Sequence, residues 1–229
     1  MKKKWAKDTN LENAYVRTIN FPSKKVTKTK ITYKSTYGRE APSYAIAKYL
    51  YGTGSSWKNP IGKMTVRIQN KDLYSSINFL SMPDKTPLKR IEDDIWEGVY
   101  TNIEPAKYTD SITIECGDLF GDDGPRVLRK NSFFGCYMEL KSDNLFWYTK
   151  PQLRLIRNAI YAFSGYPFKS QDLKTLFEQK AKYGWFGWDK LGPDGKPVYP
   201  VDENFSEDKL TETEKHNVKL ILEEEQKRK

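Results

Sequence analysis

The chain has 229 residues, 38% hydrophobic and 14% aromatic, which is enough for one large or two small folded domains and is unlike a disordered protein. No apolar run approaches the roughly 18 residues of a membrane helix, and the mean hydropathy is −0.77, so we expect no transmembrane segment. The net charge is +9, and residues 1–30 supply +7 of it, because they contain nine Lys and Arg residues and only two acidic residues, Asp8 and Glu12.

This localised charge does not predict a nucleic-acid interface. Residues 1–21 are predicted to be a basic arm, either a solvated tail or a segment attracted to anionic polymers of the cell envelope. The arm begins like a secretory signal but has no apolar stretch behind it. The protein is then either cytoplasmic or an exported chain whose signal is absent, and we expect an exported protein of the periplasm or cell surface.

Residues 22–147 consist of short runs with the alternation of half-buried strands, separated by segments rich in Gly, Pro, Asp and Ser. Many short strands without long helices between them predict an antiparallel β-sandwich or barrel. Residues 42–52 are predicted to form one helical turn or a covering segment. The predicted strands are KTKITYKS (28–35), KMTVRIQN (63–70), SITIEC (111–116) and FFGCYMEL (133–140).

Two cysteines lie within predicted strands. Cys116 and Cys136 could form a disulfide if their Cα atoms come within about 7 Å, or they could be two buried thiols that act as small hydrophobic residues. Neither belongs to a C-x-x-C pattern, so a redox motif or a zinc site has little support.

Few residues suggest catalysis. His216 is the only histidine, and one imidazole cannot build the usual histidine metal site. The acidic groups 92–94, Asp118 and 122–123 could act as paired acids or bind Ca²⁺, but they lack the alternating spacing of a calcium loop, and Asp-Asp-Gly is ordinary turn chemistry. Nucleotide-binding glycine motifs are missing. We therefore expect no enzyme, no cofactor and no metal.

From Thr149 the apolar period becomes helical. Thr149 and Gln152 form a predicted capping box, with Pro151 in the first turn. The apolar stripe that follows is Leu153, Ile156, Ile160 and Phe163. Residues 148–229 are therefore predicted to form a small α-helical domain, and the whole chain an α+β protein.

The first helix of this domain is predicted to end at a corner. Gly165 supplies a stop and Pro167 forbids continuation, and Ser170 can begin a second helix with Asp172 in its first turn. A second capping box, Thr211 with Glu214, opens the last helix, whose end at 223–229 is predicted to fray. We interpret the corner as a structural element.

Aromatic residues crowd the segment 182–200, around Gly-Pro-Asp-Gly. Aromatic faces stack on sugar rings or partner side chains, but they also complete the cores of small modules. Trp185, Trp188 and Tyr199 are the candidate ligand-binding residues here, and Trp57 is a fourth candidate, in a Gly- and Ser-rich loop of its own.

At the corner the sequence resembles the YARHG family, small bacterial modules regarded as extracellular. The naming pentapeptide falls on 161–165, where Tyr161, Ala162 and Gly165 match, whereas Phe163 and Ser164 stand at the Arg and His positions. The resemblance covers about residues 148–226. It implies a role in the cell envelope, and any function that depends on the missing Arg and His is in doubt. The flanking matches include Leu153, Arg154, 157–160, Tyr166, 168–170, Asp172, Leu173 and Phe177.

A second resemblance concerns residues 22–145, which look like the discoidin-type glycan-binding modules of bacterial surface proteins. This resemblance implies a galactose-binding-like β-sandwich and carbohydrate binding. It agrees with the strand pattern, but no ligand residue can be carried over from it.

The polar face of the first helix carries Arg154 and Arg157. We expect Asp172 to pair with one of them and to fix the angle between the two helices, as a partly buried polar latch.

The function predicted from these features is non-enzymatic binding of a glycan or an envelope protein, with peripheral envelope association. Two alternatives are a cell-wall polymer hydrolase with carboxylate catalysis and a structural spacer. The sequence does not define the oligomeric state.

Overall fold

The computed structural model describes residues 22–32, 34, 38–41, 44–83, 88–119, 134–179 and 201–228. The chain divides into two compact units, Met1–Thr36 and Tyr37–Lys229. In the first unit, residues 22–32 and 34 are exposed and contain only a turn, in which Lys25 N donates to Pro22 O. The strand predicted over 28–35 is thus wrong for its described part, because exposed residues without a neighbouring strand gain neither pairing nor burial.

The described residues of the second unit contain seven strands in two antiparallel sheets. One sheet has the order β1-β2-β7-β4 and the other the order β3-β6-β5. Ile68 and Trp96 from one sheet and Ile77 and Ile114 from the other share a single apolar cluster, so the two sheets pack face to face. The strands are β1 (Gly38–Ala41), β2 (Tyr44–Leu50), β3 (Ile61–Gln69), β4 (Ser75–Ser81), β5 (Lys89–Glu92), β6 (Ile95–Ile103) and β7 (Ser111–Asp118).

Two of the predicted strands are confirmed, 63–70 as β3 and 111–116 as β7. The interpretation of 42–52 as a helical turn or cover is wrong, because Tyr44–Leu50 is a strand that pairs with β7 along its whole length. An inner strand with a neighbour on each side satisfies its backbone groups more fully than a single helical turn could. A short 3₁₀ helix, Gly52–Ser56, follows it.

The helices of the second unit are α1 (Phe134–Tyr137), α2 (Lys150–Phe163), α3 (Gln171–Leu173) and α4 (Glu212–Lys227). A π-helical turn, Lys174–Gln179, continues α3, and 3₁₀ turns occupy Ser142–Leu145 and Glu207–Lys209. The expected α+β class, with antiparallel sheets followed by helices, is confirmed.

The strand predicted over 133–140 is wrong for its described part, because residues 134–140 form α1 and an irregular turn. A buried side chain of α4 supplies backbone hydrogen bonds that a neighbouring strand would otherwise supply to this segment. Asn217 accepts a hydrogen bond from Leu140 N at 2.8 Å and donates to Gly135 O at 2.9 Å and Met138 O at 2.7 Å. One side-chain amide thus satisfies three backbone groups of this segment.

Both predicted capping boxes are present, on α2 and α4. The apolar stripe of α2 is buried, with Leu153, Ile156 and Ile160 at 0% exposure. The predicted fraying of the chain end is wrong, because α4 continues to Lys227. Arg157 Nε donates to Glu225 Oε1 at 2.6 Å, and a guanidinium nitrogen of Arg228 donates to Leu145 O at 2.9 Å.

Candidate functional site

An exposed group of apolar side chains lies on β2 and on two loops that are hydrogen-bonded to each other. We call it the aromatic end and define it as Tyr49, Leu50, Trp57 and Tyr108. Their exposed fractions are 54%, 47%, 61% and 51%. Tyr49 and Leu50 are successive residues of β2 and point to opposite faces of the sheet, whereas Trp57 and Tyr108 lie on the two loops. Exposed aromatic side chains are candidates for binding.

The two loops of the aromatic end are held together by backbone contacts. Tyr51 N and Gly52 N donate to Asp110 O at 3.0 and 2.8 Å, so the loop that leads to Trp57 is fixed against the loop that carries Tyr108. The carboxylate of Asp110 in turn accepts from Ala106 N at 2.8 Å and Lys107 N at 3.1 Å. The scaffold beneath the exposed rings is therefore a network of main-chain hydrogen bonds.

Gly52 permits this close approach. A Cβ atom at this position would lie 2.3 Å from Lys107 O and from Tyr108 O, which no side chain tolerates. A glycine is thus required because two backbones touch here.

Trp57 is the most exposed member of the group. Its backbone N donates to Gly54 O at 2.9 Å, which fixes the main chain at the end of the 3₁₀ turn. Among the residues that the structure describes, no aromatic ring or cation packs on the indole, and none forms a hydrogen bond with it. By contrast Trp96 is fully buried, and its ring centroid lies 5.5 Å from that of Trp147. The side chain of Trp57 is therefore mostly exposed to solvent.

The other candidate binding residues, Trp185, Trp188 and Tyr199, lie outside the described residues. Their predicted role stays a prediction. Sequence reasoning missed Tyr49 and Tyr108. Tyr108 sits in a Pro- and Asp-containing loop, as Trp57 sits in a Gly- and Ser-rich one, and this shared context is the signal that could have found it.

A charged cavity of about 500 Å³ lies elsewhere on the same unit, between the β5–β6 turn and the end of α4. It contains the acidic run considered above as a candidate acid pair. Three acidic and three basic side chains line it together with Ile91, namely Glu92, Asp93, Asp94, Arg90, Lys227 and Arg228.

Two of these acids are engaged in structural hydrogen bonds. Both carboxylate oxygens of Asp93 accept from Lys150 N, at 2.8 and 2.9 Å, at the N-terminus of α2. Asp94 accepts from Gln69 Nε2 at 2.8 Å. A carboxylate at a helix N-terminus satisfies an otherwise unpaired N–H and interacts favourably with the helix dipole.

Arg90, another residue of the cavity, also forms structural hydrogen bonds. Its guanidinium donates to Phe146 O, to Asp93 O and to Tyr148 O (the last at 2.9 Å), and lies 4.5 Å from the ring centroid of Trp96. Burial, followed by repulsion from Arg228, lowers the pKa of Arg90 to about 10. The cavity is therefore a charged junction between a sheet and the helices.

The corner after α2 is a complete Schellman stop. Gly165 has φ 86°, Gly165 N donates to Ala162 O at 3.0 Å, and Tyr166 N donates to Tyr161 O at 3.1 Å. The rings of Tyr161 and Tyr166 lie 5.3 Å apart, which is the apolar contact that accompanies this motif. Burial, followed by the neighbouring Glu207, raises the pKa of Tyr161. This geometry agrees with a structural role for Gly165.

Asp172 pairs with Arg154, with 2.7 Å between Arg154 Nη1 and Asp172 Oδ2. The pair is exposed, however, with 40% and 59% of the two side chains accessible, so the expectation of partial burial is wrong. Arg157 instead forms a partly buried pair with Glu225, at 21% and 11%, and this pair links α2 to α4. Its partner in α4 lies 68 residues along the chain, too distant for local sequence reasoning.

Both cysteines are thiols, so the disulfide alternative is not realised. Cys116 faces Ala45 and Ile77 across the sheet, and burial, followed by the charge of Asp72, raises its pKa. A raised pKa leaves less of the reactive thiolate. Among the described residues no three His, Cys, Asp or Glu side chains are close enough to hold a metal ion.

Comparison with known proteins gives one match. Residues 137–185 match the model of the YARHG domain, which confirms the resemblance of the C-terminal part. YARHG domains are found in extracellular or periplasmic proteins. No helix within the described ranges is both long and apolar enough to cross a membrane. No curated protein and no solved structure matches the chain, and the discoidin-type resemblance stays a prediction.

Proposed function

We propose that this protein is a non-enzymatic binding protein of the bacterial envelope or the extracellular space, and that its aromatic end recognises a glycan or a protein partner. The observation that carries the proposal is the 61% exposure of Trp57 on a loop fixed by main-chain hydrogen bonds. A rigid aromatic side chain contributes a large contact area and loses little conformational entropy when it binds.

The chemistry of the aromatic end fits this role. An indole and a phenol present flat apolar faces on which the C–H face of a sugar ring can stack, and a phenol can also form a hydrogen bond. The YARHG match supports a location where such ligands occur. The structural engagement of Asp93 and Asp94 supports binding in preference to carboxylate catalysis, because their oxygens already accept hydrogen bonds.

The test is a fluorescence titration with soluble peptidoglycan fragments and with neutral oligosaccharides. Stacking on Trp57 should shift or quench the emission in a saturable way. Because both variants lack the reporting indole, their binding is measured by isothermal titration calorimetry, in which Trp57→Ala should lose binding and Trp57→Phe should retain part of it because a ring remains. Tyr137→Ala is the matched control, since Tyr137 is an aromatic residue of 60% exposure on α1. Ligand binding by Trp57→Ala at the wild-type level would contradict the proposal that the aromatic end is the binding site.

A further inference from the structure

The two sheets end in four edge strands, and three of these edges are interrupted or covered. β1 and β5 have only four residues each and carry register irregularities. β4 has an irregularity between Ile77 and Phe79, and its Ser75 O accepts from Gln152 Nε2 at 2.8 Å. Short, bulged or covered edges are the usual protection against pairing with another chain.

β3 lacks these protections. It has nine residues, contains no proline, and pairs with β6 without a register irregularity. Among the described strands it is an edge of its sheet, because the strand order is β3-β6-β5. A long regular edge strand is a ready template for a further strand.

The register shows which backbone groups of β3 face outward. Asn70 N donates to Asp94 O at 3.0 Å, so this pair is of the hydrogen-bonded kind. Pairs of that kind recur at every second residue, which turns Met64, Val66 and Ile68 toward β6. The outward N–H and C=O groups therefore belong to the alternate residues Lys63, Thr65, Arg67 and Gln69.

These outward groups have no backbone partner within the described part of the chain, in which β3 pairs only with β6. Four consecutive alternate residues thus offer unpaired donors and acceptors in the spacing of an antiparallel or parallel ladder. At the start of the strand, a Cβ atom added to Gly62 would meet nothing within 4 Å, so the sheet face at this residue is open.

The side chains next to this edge are basic. Lys63 and Arg67 are exposed on the same face, Arg67 pairs with Glu97 at 2.6 Å, and Lys63 has no ion pair among the described residues. A second copy of β3 would bring these positive charges together, and like charges on adjacent strands destabilise the pairing. The charge therefore favours an acidic occupant.

We propose that the outer edge of β3 binds an extended acidic segment of a partner protein by β-strand addition. The main-chain hydrogen bonds of Lys63, Thr65, Arg67 and Gln69 supply affinity, and the charge of Lys63, which Glu97 does not neutralise as it does that of Arg67, selects an acidic residue beside it. None of the residues of this edge belongs to the aromatic end, so the peptide test does not depend on glycan binding.

The probe is a synthetic peptide of alternating Glu and Val with blocked ends, as long as β3, and its matched control carries Lys in place of Glu. Amide hydrogen exchange is measured by NMR on the full chain. The Glu peptide should slow exchange at 63, 65 and 67 and leave the already bonded amides of 64, 66 and 68 unchanged. Absence of this alternating protection, or equal protection by the Lys peptide, would overturn the proposal.

Thr65→Pro gives an independent test, with Thr65→Val as control. Proline removes an outward N–H that the pairing with β6 does not use, and edge strands accept proline at such positions. Peptide affinity should fall at least about tenfold in Thr65→Pro and stay near the wild-type value in Thr65→Val.

Lys63→Glu should weaken binding of the Glu peptide without altering the backbone, so the charge contribution is measured even if Thr65→Pro does not fold. Wild-type affinity in Lys63→Glu would contradict the acidic partner. Concentration-dependent protection of 63, 65 and 67 in the chain alone would assign the edge to a second copy and overturn the proposal.

Discussion

Asn217 has no exposed surface, and its single amide makes three hydrogen bonds to the backbone around α1. Asn217→Ala leaves a buried donor and two acceptors unpaired. We expect the free energy of unfolding to fall by at least about 2 kcal/mol, because each unsatisfied buried group costs about 1–3 kcal/mol. Urea denaturation measures this, with exposed Lys219→Ala on the same helix as control. Equal midpoints for the two variants would contradict the assignment.

The exposed pair of Arg154 and Asp172 predicts a different behaviour. The hydrogen bond from Arg154 lowers the pKa of Asp172 from 3.8 to about 2. Because the pKa of Asp172 is lower in the folded state than in the unfolded state, the pair stabilises the fold when the pH is above the unfolded-state pKa. This stabilisation disappears as the pH falls through the folded-state pKa. Asp172→Asn should lower the melting temperature slightly at neutral pH and not below about pH 2. A constant difference across this range would contradict the pairing.

At the scale of elements, the loop of Gly52 fixes the aromatic end. Gly52→Ala pushes a methyl group into the backbone of Lys107 and Tyr108 and should separate the two loops. We expect a lower melting temperature and weaker ligand binding. Gly62→Ala is the matched control, because that position has open space around it. If both variants bound ligand equally well, the loop contact would not support the aromatic end.

The elements that can be predicted from sequence are those with local signals. The capping boxes of α2 and α4 and the Gly165 stop are confirmed, because cap residues and glycine act within a few positions. The strand prediction for 133–140 is wrong because Asn217, a distant residue, determines the backbone partners of this segment. Loop composition indicates Trp57 as a candidate, and its role as a binding residue stays a prediction, whereas the backbone contact of Gly52 with Tyr108 depends on the pairing of β2 with β7.

At the scale of the molecule, the sheets and the YARHG-matched helices lie in one compact unit, Tyr37–Lys229, joined at Asp93. The predicted domain boundary at 147–148 stays a prediction. Asp93→Ala should lower the free energy of unfolding by about 1–2 kcal/mol, since α2 loses an N-terminal carboxylate. Asp94→Ala is the control, because the carboxylate of Asp94 binds Gln69 instead of the helix. Equal stability of the two variants would contradict this role, and calorimetry measures both.

The central claim is that exposed Trp57 binds an envelope ligand. The most direct measurement is cosedimentation of the purified chain with isolated bacterial envelopes, untreated or treated with protease or glycan-degrading enzymes. The wild type, Trp57→Phe and Tyr137→Ala should sediment, Trp57→Ala should remain in the supernatant, and the treatment that abolishes binding identifies the ligand class. Sedimentation of Trp57→Ala at the wild-type level would contradict the claim.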